Sequence, residues 1–109
     1  MTLSTHILDV ETGRPVPGVP VQVARLDAGG DRWLPIGSAV TGPDGRAADL
    51  VPPAGWAPGR WRLVFDTAAV HGAEAFWPRI TVELAVADTG HHHVPLLLAR
   101  HGYTTYRGS

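Results

Sequence analysis

Three consecutive histidines, His91, His92 and His93, form the densest stretch of chemically capable side chains in the chain. Neutral imidazole is the natural general base near pH 7 and also the commonest metal ligand. The run sits in an alternating, extended segment, so His91 and His93 share one face while His92 points to the other. His6 stands within a Leu/Thr/Ile stretch, and Arg46 directly follows an Asp44-Gly45 turn. Each admits a plain reading: a satisfied strand histidine, a solvated arginine, a polar cluster bordering a turn. A zinc site would need His6 as a third ligand. Spacing fixes neither that ligand nor a supporting carboxylate, so no metal is assigned.

The rest of the composition narrows the chemistry further. Cysteine is absent, which removes thiol nucleophiles, Cys-based metal sites and disulfides. The net charge is -1, with nine arginines scattered along the chain and no lysine, so there is no basic field for nucleic acid. No phosphate loop, dinucleotide fingerprint, zincin helix or nucleophile elbow is present. The strongest apolar run, Val94 to Ala99, is far shorter than the roughly 20 residues of a membrane-spanning helix. The first residues show no positive segment followed by an apolar one, so no secretory leader and a cytoplasmic location are expected.

The elements that must hold these side chains are short strands. Ten prolines and 13 glycines punctuate 109 residues, and the hydrophobic share of 44% suits one globular domain spanning 1–109. Leu3, Thr5 and Ile7 alternate in a first strand over Leu3 to Asp9, and Thr12 to Pro15 with Pro17-Gly18 reads as loop. Val19, Val21 and Val23 share one parity, with Pro20 placing that strand near an edge or at a strand start. Arg32 to Val40 is its hairpin partner. Gly42-Pro43-Asp44-Gly45 is the strongest turn, followed by a short strand over Ala47 to Leu50. Val51 to Gly59 reads as loop. Arg60 to Asp66 and Arg79 to Ala87 alternate as strands, and between them Thr67 to Ala75 favours about two helical turns capped by Asp66 or Thr67. His91 to Ala99 and Tyr103 to Tyr106 bring the count to eight. The expectation is an all-β fold, a two-sheet β-sandwich of about eight strands with one short helix.

Read together, these segments resemble the 5-hydroxyisourate hydrolases of the transthyretin-like family. The resemblance is carried by Ser4-Thr5-His6-Ile7-Leu8-Asp9, by Asp44-Gly45-Arg46, by Phe65-Asp66-Thr67, by His91-His92-His93-Val94-Pro95-Leu96-Leu97-Leu98, and by Gly102 through the ending Tyr106-Arg107-Gly108-Ser109. Two departures stand out: His92 where tyrosine is usual, and Val70-His71 where an aromatic pair is common. The resemblance implies a transthyretin-like sandwich that opens a lactam ring of 5-hydroxyisourate, in urate degradation, without a cofactor. It implies His6, Arg46 and His93 as the catalytic set, with Arg46 and His6 also binding substrate alongside Tyr106, Arg107 and Ser109. It also implies a homotetramer, a dimer of dimers, with no nucleic acid or membrane partner. Transthyretin, the carrier of the family, lacks these histidines and this ending, which favours enzyme over carrier.

Overall fold

Leu3–Asp9 (β1) buries Leu3, Thr5 and Ile7 and turns Ser4 and His6 to the other face. This is the alternation expected of a strand with one face on a core. The computed structural model describes residues 1–109. After β1 come Arg14–Pro15 (β2), Pro20–Leu26 (β3), Trp33–Val40 (β4), Arg46–Ala47 (β5), Gly59–Phe65 (β6), Ala68–His71 (α1), Ile80–Val86 (β7), His92–Leu98 (β8) and Tyr103–Thr105 (β9).

Two sheets pack face to face. One runs β2-β1-β8-β9 with β5 also on β1, and the other runs β4-β3-β6-β7. β1 and β8 are parallel, in a register that sets Ser4 opposite His93 and His6 opposite Pro95. Between the sheets lies one cluster in which Trp61, Leu63 and Phe65 of β6 are fully buried against Leu3, Ile7, Val21, Val23, Leu96 and Leu98. Burial of each large side chain contributes on the order of 1.5–3 kcal/mol. Buried hydroxyls are satisfied: Thr5 donates to the Val94 carbonyl at 2.6 Å, and Thr41 donates to that of Val16 at 2.8 Å.

The two-sheet, one-helix architecture agrees with the sequence expectation, and several boundaries move for identifiable reasons. There are nine strands, because Arg14–Pro15 folds back on β1 through the Thr12-Gly13 turn and pairs with Leu8 and Asp9. The helix is a single turn, stopped at Gly72 with φ of 79°. Thr67 precedes it without capping it, since its hydroxyl donates to the Trp77 carbonyl instead. The strand expected over Ala47 to Leu50 is instead Arg46–Ala47, because Asp49 takes a left-handed φ of 49° that extended backbone does not allow. The Val51 to Gly59 loop contains a short 3-10 turn, Pro53–Gly55, and surrenders Gly59 to β6. Pro20 does open its strand, but β3 is central, and β4, which carries Pro35, is the edge.

Candidate active site

The outward face of the β1–β8 sheet collects the polar side chains. Gly45 starts the assembly. Its φ of 75° closes the Gly42–Gly45 turn, and a Cβ there would lie 2.6 Å from the Ile7 carbonyl oxygen. Only glycine lets the turn press this closely on β1, where Ile7 N–H donates to the Gly45 carbonyl at 2.8 Å. Asp44 steadies the exit by accepting from the Arg46 N–H at 3.0 Å. Arg46 is thereby set directly opposite His6 in the β1–β5 pairing.

His93 is the centre of the cluster. It is half-buried on β8, and its Nδ1 lies 2.8 Å from the Ser4 hydroxyl. The same hydroxyl lies 2.8 Å from Nε2 of His91, whose ring is 6.3 Å from that of His93. Burial first, then the positive charges of Arg46, His91 and His6, pushes the His93 pKa below the ordinary imidazole value of 6.5. At neutral pH this imidazole is therefore uncharged and able to accept a proton. Its other face is closed by Gly108, whose N–H donates to the His93 carbonyl at 2.8 Å. A Cβ on Gly108 would lie 2.6 Å from the imidazole Cδ2, so the ending can lie against this ring only with glycine at that position.

All of the expected site residues except His6 divide over two cavities that meet at His93. Arg46, His93 and Ser109 line a cavity of about 400 Å³ together with Ser4 and His91. Tyr106 and Arg107 line a second, of about 250 Å³, at the open side of the sandwich with His92, Val82 and Leu84. His6 lies beside Arg46 on β1, half-buried, and outside the lining of both. A larger groove of about 440 Å³ lies on the opposite sheet around Trp33 and Arg62, with no histidine in its lining. No three His, Asp or Glu side chains converge in a group that could hold a metal ion.

His92 is settled by its direction. It is buried, its Nδ1 lies 2.7 Å from the Gly90 carbonyl, and its ring meets the edge of Trp56 at 5.6 Å. It packs the interior beside the smaller cavity, while His91 and His93 line the one that holds Arg46 and Ser109. Ser4, in contrast, carries no sequence signal of its own beyond its place in the Ser4-Thr5-His6 stretch. The alternation of β8 already put His91 beside His93, but Ser4 joins them only through the parallel register.

The profile of the HIUase/Transthyretin family matches residues 3–108. A 5-hydroxyisourate hydrolase of Salmonella dublin is 42% identical over 98% of this chain and 80% of its own. The structure of Klebsiella pneumoniae 5-hydroxyisourate hydrolase superposes with a TM-score of 0.82 at 37% identity, covering 100% of both chains. Sea bream transthyretin, solved in complex with thyroxine, superposes with a TM-score of 0.89 at 29% identity, covering 99% of this chain and 95% of that one. The sandwich is thus shared by proteins with and without an enzyme's name, and side chains rather than fold must distinguish them. On the full-length match of its sequence and of its two sheets, this chain belongs to the HIUase/transthyretin family.

Proposed function

We propose that this protein is a 5-hydroxyisourate hydrolase acting in urate degradation, and that His6, Arg46 and His93 are its catalytic residues. The observation that carries the reading is the placement of His93, fixed through Nδ1 to Ser4, on a cavity shared with Arg46 and Ser109, where burial and then Arg46 lower its proton affinity. Lactam hydrolysis needs a base for water, a donor where the oxyanion develops, and a proton for the leaving nitrogen. With Nδ1 protonated and bound to Ser4, His93 Nε2 is a free acceptor and takes a proton from water. The water oxygen bonds to the lactam carbonyl carbon, and the Arg46 guanidinium, a planar fork that stays charged, stabilises the oxyanion. The C–N bond then breaks and its nitrogen receives a proton, with His6 beside Arg46 as the second proton-transfer group. Ser109 closes the cavity, while Tyr106 and Arg107 line the second cavity on the other side of His93.

The carrier reading draws on the likeness to transthyretin, but identity is higher to the hydrolases, at 42% and 37% against 29%. It also leaves the His93–Ser4–His91 and Arg46 cluster without work. The deciding measurement is the ultraviolet decay of freshly generated 5-hydroxyisourate with and without protein. Decay at the spontaneous rate would sink the enzyme reading, and thyroxine binding in its place would favour the carrier.

The active assembly is proposed to be a homotetramer, a dimer of dimers. Phe76 is 63% exposed beside Trp77, Tyr103 and His101, and β7 and β9 are unpaired sheet edges, features that favour burial against another copy. A cytoplasmic location is proposed from the absence of cysteine, which suits a reducing compartment.

A further inference from the structure

We propose that the groove on the outer face of the β4-β3-β6-β7 sheet is a second binding site, which takes a small aromatic carboxylate on Arg62 and Trp33. The proposal is independent of the hydrolase reading, because no residue of the groove belongs to the catalytic set.

An irregularity of the sheet builds the groove. In the β3–β4 pairing Val23 stands opposite Gly37 and Ala24 opposite Pro35, which leaves Ile36 as an extra residue on β4. A bulge of this kind bends the strand that carries it and re-aims the side chains around it. The hollow there measures about 440 Å³, against about 400 Å³ for the cavity with Arg46 and His93, and both fall in the range of small-molecule sites. Ala24, Pro35 and Ile36 give it an apolar lining, and Gln22 and Ser38 add hydrogen-bonding side chains.

Arg62 is the only charged residue of that lining. The β6–β7 register sets Glu83 directly opposite it, the position from which a carboxylate can pair across strands. Glu83 instead pairs with Arg60, at 2.9 Å, in the one ion pair of the chain. Arg62 reaches the other way, past Ala24 on β3, and its guanidinium carbon lies over the Trp33 ring of β4, 4.7 Å from the ring centre. Its Nε is buried without a hydrogen-bond partner, and no carboxylate of the chain meets its charge. Buried arginine nitrogens are ordinarily given acceptors, because leaving one unpaired costs about 1–3 kcal/mol.

These features select the ligand. A carboxylate is the planar acceptor that matches a guanidinium fork. Because the charge is delocalised over all three nitrogens, a carboxylate on the terminal pair stabilises it even with Nε covered. The apolar walls and the Trp33 ring favour an aromatic body behind that carboxylate. Phosphate would meet the fork too, but it makes no use of the walls.

Titration of the intact protein with naphthoate, followed by NMR of backbone amides and tryptophan indoles, tests the site. The Trp33 indole and the amides of Gln22, Gly37 and Ser38 should shift, with a Kd of about one millimolar or tighter. Naphthamide keeps the rings without the charge, and inorganic phosphate keeps charge without the rings; each should bind at least about tenfold more weakly. Arg62→Gln should weaken naphthoate at least about tenfold, and Arg62→Lys should fall between it and the wild type. Arg46→Gln, which alters the catalytic cavity, should leave the affinity of the groove unchanged. No shift at about ten millimolar naphthoate would overturn the site. So would shifts confined to the His93 cavity, equal binding of naphthamide, or an unchanged Kd in Arg62→Gln. The comparison of the three probes on the wild type decides the matter even where an Arg62 variant does not fold.

Discussion

Arg46 is the residue on which the electrostatics of the site turn. Its charge lowers the proton affinity of His93, second only to burial. Arg46→Gln should therefore raise the His93 pKa and move the acid limb of the rate profile upward toward 6.5. Arg46→Lys should leave that limb near its native place but lose about ten- to a thousandfold in kcat/KM, because an ammonium cannot reproduce the planar fork. Near-normal efficiency in Arg46→Lys would reduce this side chain to a surface charge. Stability follows the same shift. His93 binds fewer protons in the folded than in the unfolded chain as pH falls below 6.5, so its contribution is present at neutral pH and lost toward acid. Thermal unfolding at a series of pH values in wild type and His93→Gln should show that difference.

At the scale of elements, the segment after β9 is the informative one. Terminal segments are usually loosely held, yet Gly108 is bridged to His93 and Ser109 reaches the cavity with Arg46. Removing Tyr106 to Ser109 removes none of the 17 residues of the core cluster. The truncated protein should keep its melting temperature within a few degrees and lose most turnover. Gly108→Ala is the subtler test, because its methyl meets the imidazole ring while the rest of the tail is untouched. It should reduce kcat with little change in melting temperature. Full activity in both variants would show that the segment only covers the sheet. Leu63→Ala in β6 should do the opposite, destabilising by about 2–5 kcal/mol through a core cavity while leaving the residual folded fraction active.

For the whole molecule, the surface that calls for a partner is the one where Phe76 and Tyr103 are exposed around Trp77. Burying Phe76 against a second copy explains an aromatic otherwise left in water, and the free edges of β7 and β9 offer strand pairing beside it. Light scattering at micromolar concentration should return the mass of four chains for an active preparation. Phe76→Asp should shift it to smaller species, because a carboxylate cannot be buried there without a partner. A fully active monomer would contradict the assembly.

Much of this protein could be read from local pattern alone. Alternation in Leu3–Ile7, Trp61–Phe65 and Ile80–Val86 identified buried faces, since the period of a strand is a property of the backbone. The same rule separated His92 from His91 and His93, and Gly42-Pro43-Asp44-Gly45 announced the turn that launches Arg46. The short elements were less legible. Arg14–Pro15 and Arg46–Ala47 are strands only because β1 lies beside them, and the helix stops where Gly72 turns rather than where the alanines end. The site itself depended on tertiary structure. Ser4 meets His93 across 89 positions of sequence through the parallel register of β1 and β8, and Gly108 meets the same ring from the other side. His6, Arg46 and Ser109 come from three further places in the chain. Periodicity determines which way each side chain points on its own strand, because that follows from bonds one or two residues away. Which strands are neighbours, and in what register, is decided by how the two sheets bury a common core, and that is a property of the whole chain.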